Sequence, residues 1–154
     1  MAERIVIQQN SEFEAAFWSL DPDHPESGRL RPVEHLHSLS PYGLLLAGLG
    51  SCTADILHTY ALHHNIDLDE VEIALQYERA FDRDCVNCED IAEYREHISM
   101  DVTLTGNLSP AQREKLFQIS HHCPISKILR GGIEVRSHLS DRSRIESPRT
   151  RTPL

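Results

Sequence analysis

Basic charge is what this chain has least of for its size. Fifteen Lys and Arg stand against 24 Asp and Glu, giving a formal net charge of −9 over 154 residues. Phosphate contacts need clustered Lys and Arg, so general nucleic-acid binding is excluded. No stretch approaches the roughly 18 consecutive apolar residues of a membrane span. The longest apolar run, from Leu44, meets Asp55 too early. Met1-Ala2-Glu3-Arg4 carries no apolar core of a secretion signal. Four cysteines are too few for a disulfide-built scaffold. No second Cys-x-x-Cys accompanies Cys85 and Cys88, and no internal repeat is visible. These absences leave a cytoplasmic chain with no membrane and no nucleic-acid partner. Its thiols are catalytic, metal-binding or inert.

What is present reads as one α+β domain over residues 1–139, followed by a flexible polar tail at 140–154. Residues 4–9 and 12–20 read as strands joined at Gln9-Asn10-Ser11, an N-terminal hairpin within residues 1–20. Residues 21–40 are polar and Pro-rich, a long loop with a short strand expected near 33–37. Ser40-Pro41 has the chemistry of a helix start, and Asn65 of a stop, so a long central helix is expected over 41–64. It is apolar nearly all round through Leu44–Cys52, with Ala47, Gly48, Gly50, Ser51 and Ala54 small enough for close approach of another backbone.

Val71, Ile73, Leu75 and Tyr77 alternate without a miss, the signature of a strand with one buried face. Tyr94, Ile98, Met100, Val102 and Leu104 share one parity, interrupted only by Glu96, and predict its antiparallel partner. Residues 82–93 between them form a polar loop. Ser109-Pro110-Ala111-Gln112 is a capping box. Cys123-Pro124 opens a second short helix that ends at Gly131-Gly132. Ile133, Val135 and Leu139 predict a last strand.

Two cysteines stand alone, 71 positions apart. Pro124 puts Cys123 at a helix N-terminus, where free N–H groups and the helix dipole favour a thiolate. A buried structural cysteine fits the same spacing. Cys52 lies mid-helix, gains nothing from its own helix dipole, and has Asp55 one turn on to raise its pKa. From its neighbours alone it reads as a core thiol. Cys85 and Cys88 fit half a zinc site or a loop dithiol, with two ordinary exposed thiols fitting equally well.

The run Ser40-Pro41-Tyr42-Gly43-Leu44-Leu45-Leu46-Ala47-Gly48-Leu49-Gly50-Ser51-Cys52 resembles the central-helix motif of the OsmC/Ohr family. His122-Cys123-Pro124-Ile125 resembles that family's second cysteine motif, and Cys85-Val86-Asn87-Cys88-Glu89 resembles an insertion seen in one OsmC-like branch. The resemblance spans about residues 28–137. It implies curved antiparallel sheets packed around a long central helix in an intertwined homodimer with composite active sites. It further implies a thiol-dependent peroxidase for organic hydroperoxides or hydrogen peroxide, active in oxidative stress defence. Cys52 would be the peroxidatic thiol and Cys123 the resolving one, with no bound cofactor or metal and an external dithiol or lipoyl-type reductant. Family peroxidases carry a glutamate after the motif proline where this chain has Tyr42. The activating loop arginine has only Arg29 and Arg31 as counterparts. The alternatives are an OsmC-fold protein that binds a small apolar ligand with little peroxidase activity, and a metal-binding or redox-sensing module built on Cys85 and Cys88.

Overall fold

The structure, a computed structural model, describes residues 2–81, 94–142, 144 and 145. The Cys85/Cys88 loop and most of the tail lie outside the described residues. Strands β1 (Ala2–Asn10), β2 (Ala15–Leu20) and β3 (Leu30–Pro32) precede helix α1 (Pro41–His63). Strands β4 (Asp67–Phe81) and β5 (Tyr94–Asn107) follow, then helices α2 (Pro110–Ser120) and α3 (Pro124–Gly131). The five strands form one antiparallel sheet in the order β3-β2-β1-β4-β5.

The alternation seen in the sequence sets the buried face. Ile5, Ile7 and Gln9 of β1 pair across the ladder with Leu75, Ile73 and Val71 of β4, and all six are buried. Against them α1 lays Leu46, Leu49, Ala54, Leu57 and Ala61, with Leu116 of α2 completing the core. A fully buried leucine or isoleucine contributes about 1.5–3 kcal/mol of hydrophobic free energy, so this layer holds the sheet and helix together. On β5, Ile98, Met100, Val102 and Leu104 face the same side but are only half-buried, because β5 is the sheet edge.

Local chemistry accounts for the helix ends. Ser40 Oγ accepts the Gly43 amide at 3.0 Å with Pro41 in the first turn, and Asn65 takes a left-handed φ of 52° just past the C-cap His64. The capping box of α2 is formed on both sides, Gln112 N to Ser109 Oγ and Ser109 N to Gln112 Oε1. A Cβ on Gly50 would overlap the Ile7 and Leu75 methyl groups. What approaches closely there is the side chains of the sheet.

Three expectations change. The second strand starts at Ala15, because Asn10 Oδ1 accepts the Glu12 and Glu14 amides, each at 3.0 Å, and holds residues 10–14 in a turn. The short strand in the long loop is Leu30–Pro32, and Leu36–Ser38 is a 3-10 turn. The last strand does not form. Among the described residues, 132–140 belong to no strand, and Ile133, Val135 and Leu139 are exposed at 66%, 81% and fully. Their alternation is real, but among the described residues these side chains find no apolar surface to cover. Among the described residues no helix is long and apolar enough to cross a membrane.

Candidate functional site around Cys52

Helix α1 presents Cys52 half-buried, one turn beyond Leu49, toward the start of α3. Cys123 is the N-cap of α3 and 1% exposed, and its thiol donates to the Leu49 carbonyl oxygen at 4.0 Å. The two free thiols lie side by side, and the Cys52 sulfur also meets the Ile125 backbone amide. So Cys52, mid-helix in its own element, sits at the N-terminus of another. There the unpaired amides of α3 act on it.

The balance nevertheless keeps the thiol protonated. Burial is the largest cause pushing Cys52 above its ordinary value, and the hydrogen bond with Cys123 adds to it. The Ile125 amide pulls the other way, while the Cys123 and Asp55 charges raise it further. Asp55 thus acts in the direction its spacing implied. It is held by Gln9, whose Nε2 donates to Asp55 Oδ1 at 2.7 Å. Gln9 Oε1 in turn accepts from His58 Nδ1 at 2.8 Å, which fixes the His58 tautomer with its proton on Nδ1. His58 Nε2 is buried without a partner, and burial pushes the ring's pKa down.

Neither Arg29 nor Arg31 is among the charges acting on Cys52. Arg31 lies on β3 and pairs with Asp21 at 2.8 Å and Asp23 at 3.1 Å. Arg29 is exposed before it. Tyr42 has a different cation. Arg79 Nη2 donates to Tyr42 Oη at 2.8 Å, and its Nε and Nη2 reach Glu96 Oε1 at 3.1 and 2.9 Å. Tyr77 stacks on Tyr42 with ring centres 4.5 Å apart and donates to Glu96 Oε1 at 2.6 Å. Burial, then Glu96, push the Tyr77 phenol up to about 12. Tyr77 and then Arg79 hold Glu96 below the usual carboxylate range.

The sequence reading missed Arg79 and Glu96, yet a signal existed. Arg79 continues the inward parity of Val71 to Tyr77, and Glu96 is the one interruption in the inward parity of β5. The register pairs these two residues directly. Two polar residues breaking inward alternation on neighbouring strands mark a polar cluster.

Beside this cluster runs a cleft of about 470 Å³ that neither Cys52 nor Cys123 lines, although it reaches Leu49, one turn before Cys52. Leu45, Leu49, Ile98, Met100 and Leu129 form its apolar wall, with Tyr42, Tyr77 and Glu96 at one end and Ser126 of α3 lining it too. Ten residues of α1 separate Tyr42 from Cys52, roughly 15 Å along the helix axis. Such a cleft can take an apolar organic group. Among the described residues no cluster of three or more His, Cys, Asp or Glu could hold a metal ion.

A family model described as OsmC-like protein matches residues 34–138. Among solved structures, an OsmC-like hydroperoxide resistance protein from Jannaschia sp. CCS1 superposes with a TM-score of 0.53 at 15% identity, covering 90% of this chain and 93% of that one. An organic hydroperoxide resistance protein OsmC from Legionella pneumophila (TM-score 0.48, 17% identity) covers 76% and 82% of the two chains. An OsmC-like protein from Mycoplasma pneumoniae (0.48, 16%) covers 82% and 86%. No curated protein matches the chain.

Proposed function

The chain belongs to the OsmC-like protein family, and on that premise we propose that it is a thiol-dependent peroxidase with Cys52 as the reacting thiol. The observation that carries this reading is the apposition of the Cys52 and Cys123 thiols at the first turn of α3. In the first step the Cys52 thiolate attacks one peroxide oxygen. An S–O bond forms, the O–O bond breaks, and the alcohol leaves after taking up a proton. The sulfenic acid then condenses with the Cys123 thiol, forming the disulfide and releasing water. An external dithiol returns both sulfurs to thiols. The Ile125 amide, which already favours negative charge on Cys52, stabilises the thiolate. The apolar cleft receives the organic substituent. A solved protein of similar fold that bears the name hydroperoxide resistance protein supports the substrate class.

The working unit in this reading is a homodimer. Leu44, Leu45 and Leu62 of α1 are 43%, 38% and 69% exposed in the single chain, and β5 has a free edge. Residues 133–139 carry an alternating apolar set that pairs with no strand among the described residues. A second copy supplies both a partner for α1 and an edge for that segment.

One observation favours the alternative of a small-ligand-binding protein. The net push on Cys52 is upward, and the Arg79 guanidinium is engaged with Tyr42 and Glu96 and is not among the charges acting on Cys52. A peroxide consumption assay separates the two, with hydrogen peroxide and tert-butyl hydroperoxide as oxidants and dithiothreitol or dihydrolipoamide as reductants. The peroxidase reading expects turnover that Cys52→Ser reduces at least about 10³-fold and a disulfide lost in Cys123→Ser. Equal turnover in wild type and Cys52→Ser rejects it.

A further inference from the structure

We propose that Met100 is an oxidation site of this protein, its thioether sulfur taking one oxygen atom from an organic hydroperoxide held in the cleft beside Tyr42. The proposal shares that cleft with the peroxidase reading above and does not depend on its thiol chemistry. Of Cys52, Cys123 and Met100, the residue that lines the cleft is Met100. Strand parity puts it there. Met100 pairs with Leu75 across the β4–β5 ladder and so faces α1 together with Ile98, Val102 and Leu104. Those three are aliphatic, so the packing of this face does not call for a sulfur. Met100 is half-buried on the edge strand, with the apolar side chains of Leu45, Leu49 and Leu129 around the same cleft. An apolar hydroperoxide that enters the cleft therefore meets a soft, polarisable thioether.

A buried hydroxyl prepares the site for the product. Thr53 is fully buried and donates to the Leu49 carbonyl oxygen at 2.9 Å, and the same hydroxyl lies 3.8 Å from Met100 Sδ. A hydroxyl carries one proton, and a carbonyl oxygen is a better acceptor than a thioether. A sulfoxide oxygen on Met100 competes with that carbonyl on equal terms. Burying a polar oxygen without a partner is unfavourable; here the donor is in place before the oxygen arrives. In the reaction the sulfur lone pair attacks the terminal peroxide oxygen. An S–O bond forms, the O–O bond breaks, and the hydroperoxide proton passes to the departing alkoxide, which leaves as the alcohol. The sulfur loses two electrons and the peroxide gains them. Negative charge develops on the peroxide oxygens as this happens, and the Thr53 hydroxyl stabilises it. No thiolate is needed, because a thioether holds its lone pair without losing a proton.

The experiment uses Cys52→Ser without reductant, exposed to excess cumene hydroperoxide or, separately, to excess hydrogen peroxide. N-acetylmethionine amide in the same solution serves as the free thioether, and peptide mass spectrometry reads oxygen gain at Met100 against it. The ratio of Met100 to free thioether should be at least about 5-fold higher with cumene hydroperoxide than with hydrogen peroxide, because the cleft retains the organic group next to the sulfur. In urea-unfolded protein the two ratios should coincide. In Thr53→Val the cumene hydroperoxide ratio should fall about 3-fold, and in Thr53→Ser it should stay within about 2-fold of the parent. A ratio no higher with cumene hydroperoxide than with hydrogen peroxide overturns the proposal, whether or not Thr53→Val folds. Equal ratios in folded Thr53→Val and in Thr53→Ser overturn the role given to the hydroxyl. Oxygen gain at Met100 is read in the absence of Cys52, so this proposal and the peroxidase reading fail separately.

Discussion

The two faces of α1 are built from the same kinds of residue and answer to different constraints. The inner face sets Leu46, Gly50, Leu57 and His58 against β1 and β4 with no space to spare. The outer face carries Leu44, Leu45, Gly48, half-buried Cys52 and Asp55, and much of it meets solvent in the single chain. Each face carries one glycine and leucines, with His58 as the ionisable group inside and Cys52 and Asp55 outside. On the inner face position is dictated by packing and a buried charge is forbidden. On the outer face there is room for chemistry, and charges act through partial burial.

The glycines give the largest contrast. Gly50→Ala puts a methyl group into Ile7 and Leu75, and overpacking of that kind costs about 1–3 kcal/mol. The helix-propensity gain of up to about 1 kcal/mol offsets part of it. At Gly48 a Cβ meets nothing within 4 Å, so Gly48→Ala should keep that gain in full in an isolated chain. Urea denaturation of both variants tests this. A destabilised Gly48→Ala whose midpoint depends on protein concentration would show that a second copy packs on the outer face. A Gly50→Ala as stable as wild type would mean the inner face is looser than its contacts imply.

The elements were legible where the signal is local. Ser40-Pro41 and Asn65 bound α1, parity marks β4 and β5, and Ser109 with Gln112 caps α2. The site was legible only in part, because its chemistry is made across elements. Asp55 is a neighbour in sequence and its effect on Cys52 followed from spacing. The Ile125 amide lies 73 positions downstream and reaches Cys52 only through the docking of α3. Tyr42 as a partner of Arg79 likewise needs the β4–β5 register and the placement of α1 above it. Ile133, Val135 and Leu139 are the converse case, a legible strand pattern with no strand partner among the described residues.

The ionisable groups sharpen the contrast further. His58 on the inner face is held neutral, and burial depresses its folded-state pKa below the ordinary 6.5. The unfolded chain therefore binds a proton before the folded one does as pH falls. Stability is full above about pH 6.5 and declines below it by up to about 1.4 kcal/mol per pH unit, until the folded-state value is reached. His58→Asn retains a donor for Gln9 Oε1 and cannot titrate. Urea midpoints at pH 7.5, 6.5 and 5.5 should fall more steeply in wild type than in this variant. Parallel slopes would mean that protonated His58 is tolerated on the inner face.

Asp55 offers the smallest and most local test. Asp55→Asn keeps an oxygen to accept from Gln9 Nε2, so the packing around it is preserved. Only the charge disappears, and with it one of the causes raising Cys52. In a Cys85→Ser/Cys88→Ser background, buried Cys123 leaves Cys52 as the thiol that iodoacetamide meets. The midpoint of alkylation rate against pH should move downward in Asp55→Asn. It should still lie above the ordinary thiol value of 9.0, because burial is the larger cause and is untouched. A midpoint at or below 9.0 would make the Asp55 charge, not burial, the main restraint on the thiol, and an unmoved midpoint would mean that charge does not reach the sulfur. The ordering matters for function. If burial dominates, whatever activates Cys52 must act by replacing its lost solvation with oriented donors, as the Ile125 amide already does, and removing a nearby negative charge cannot be enough.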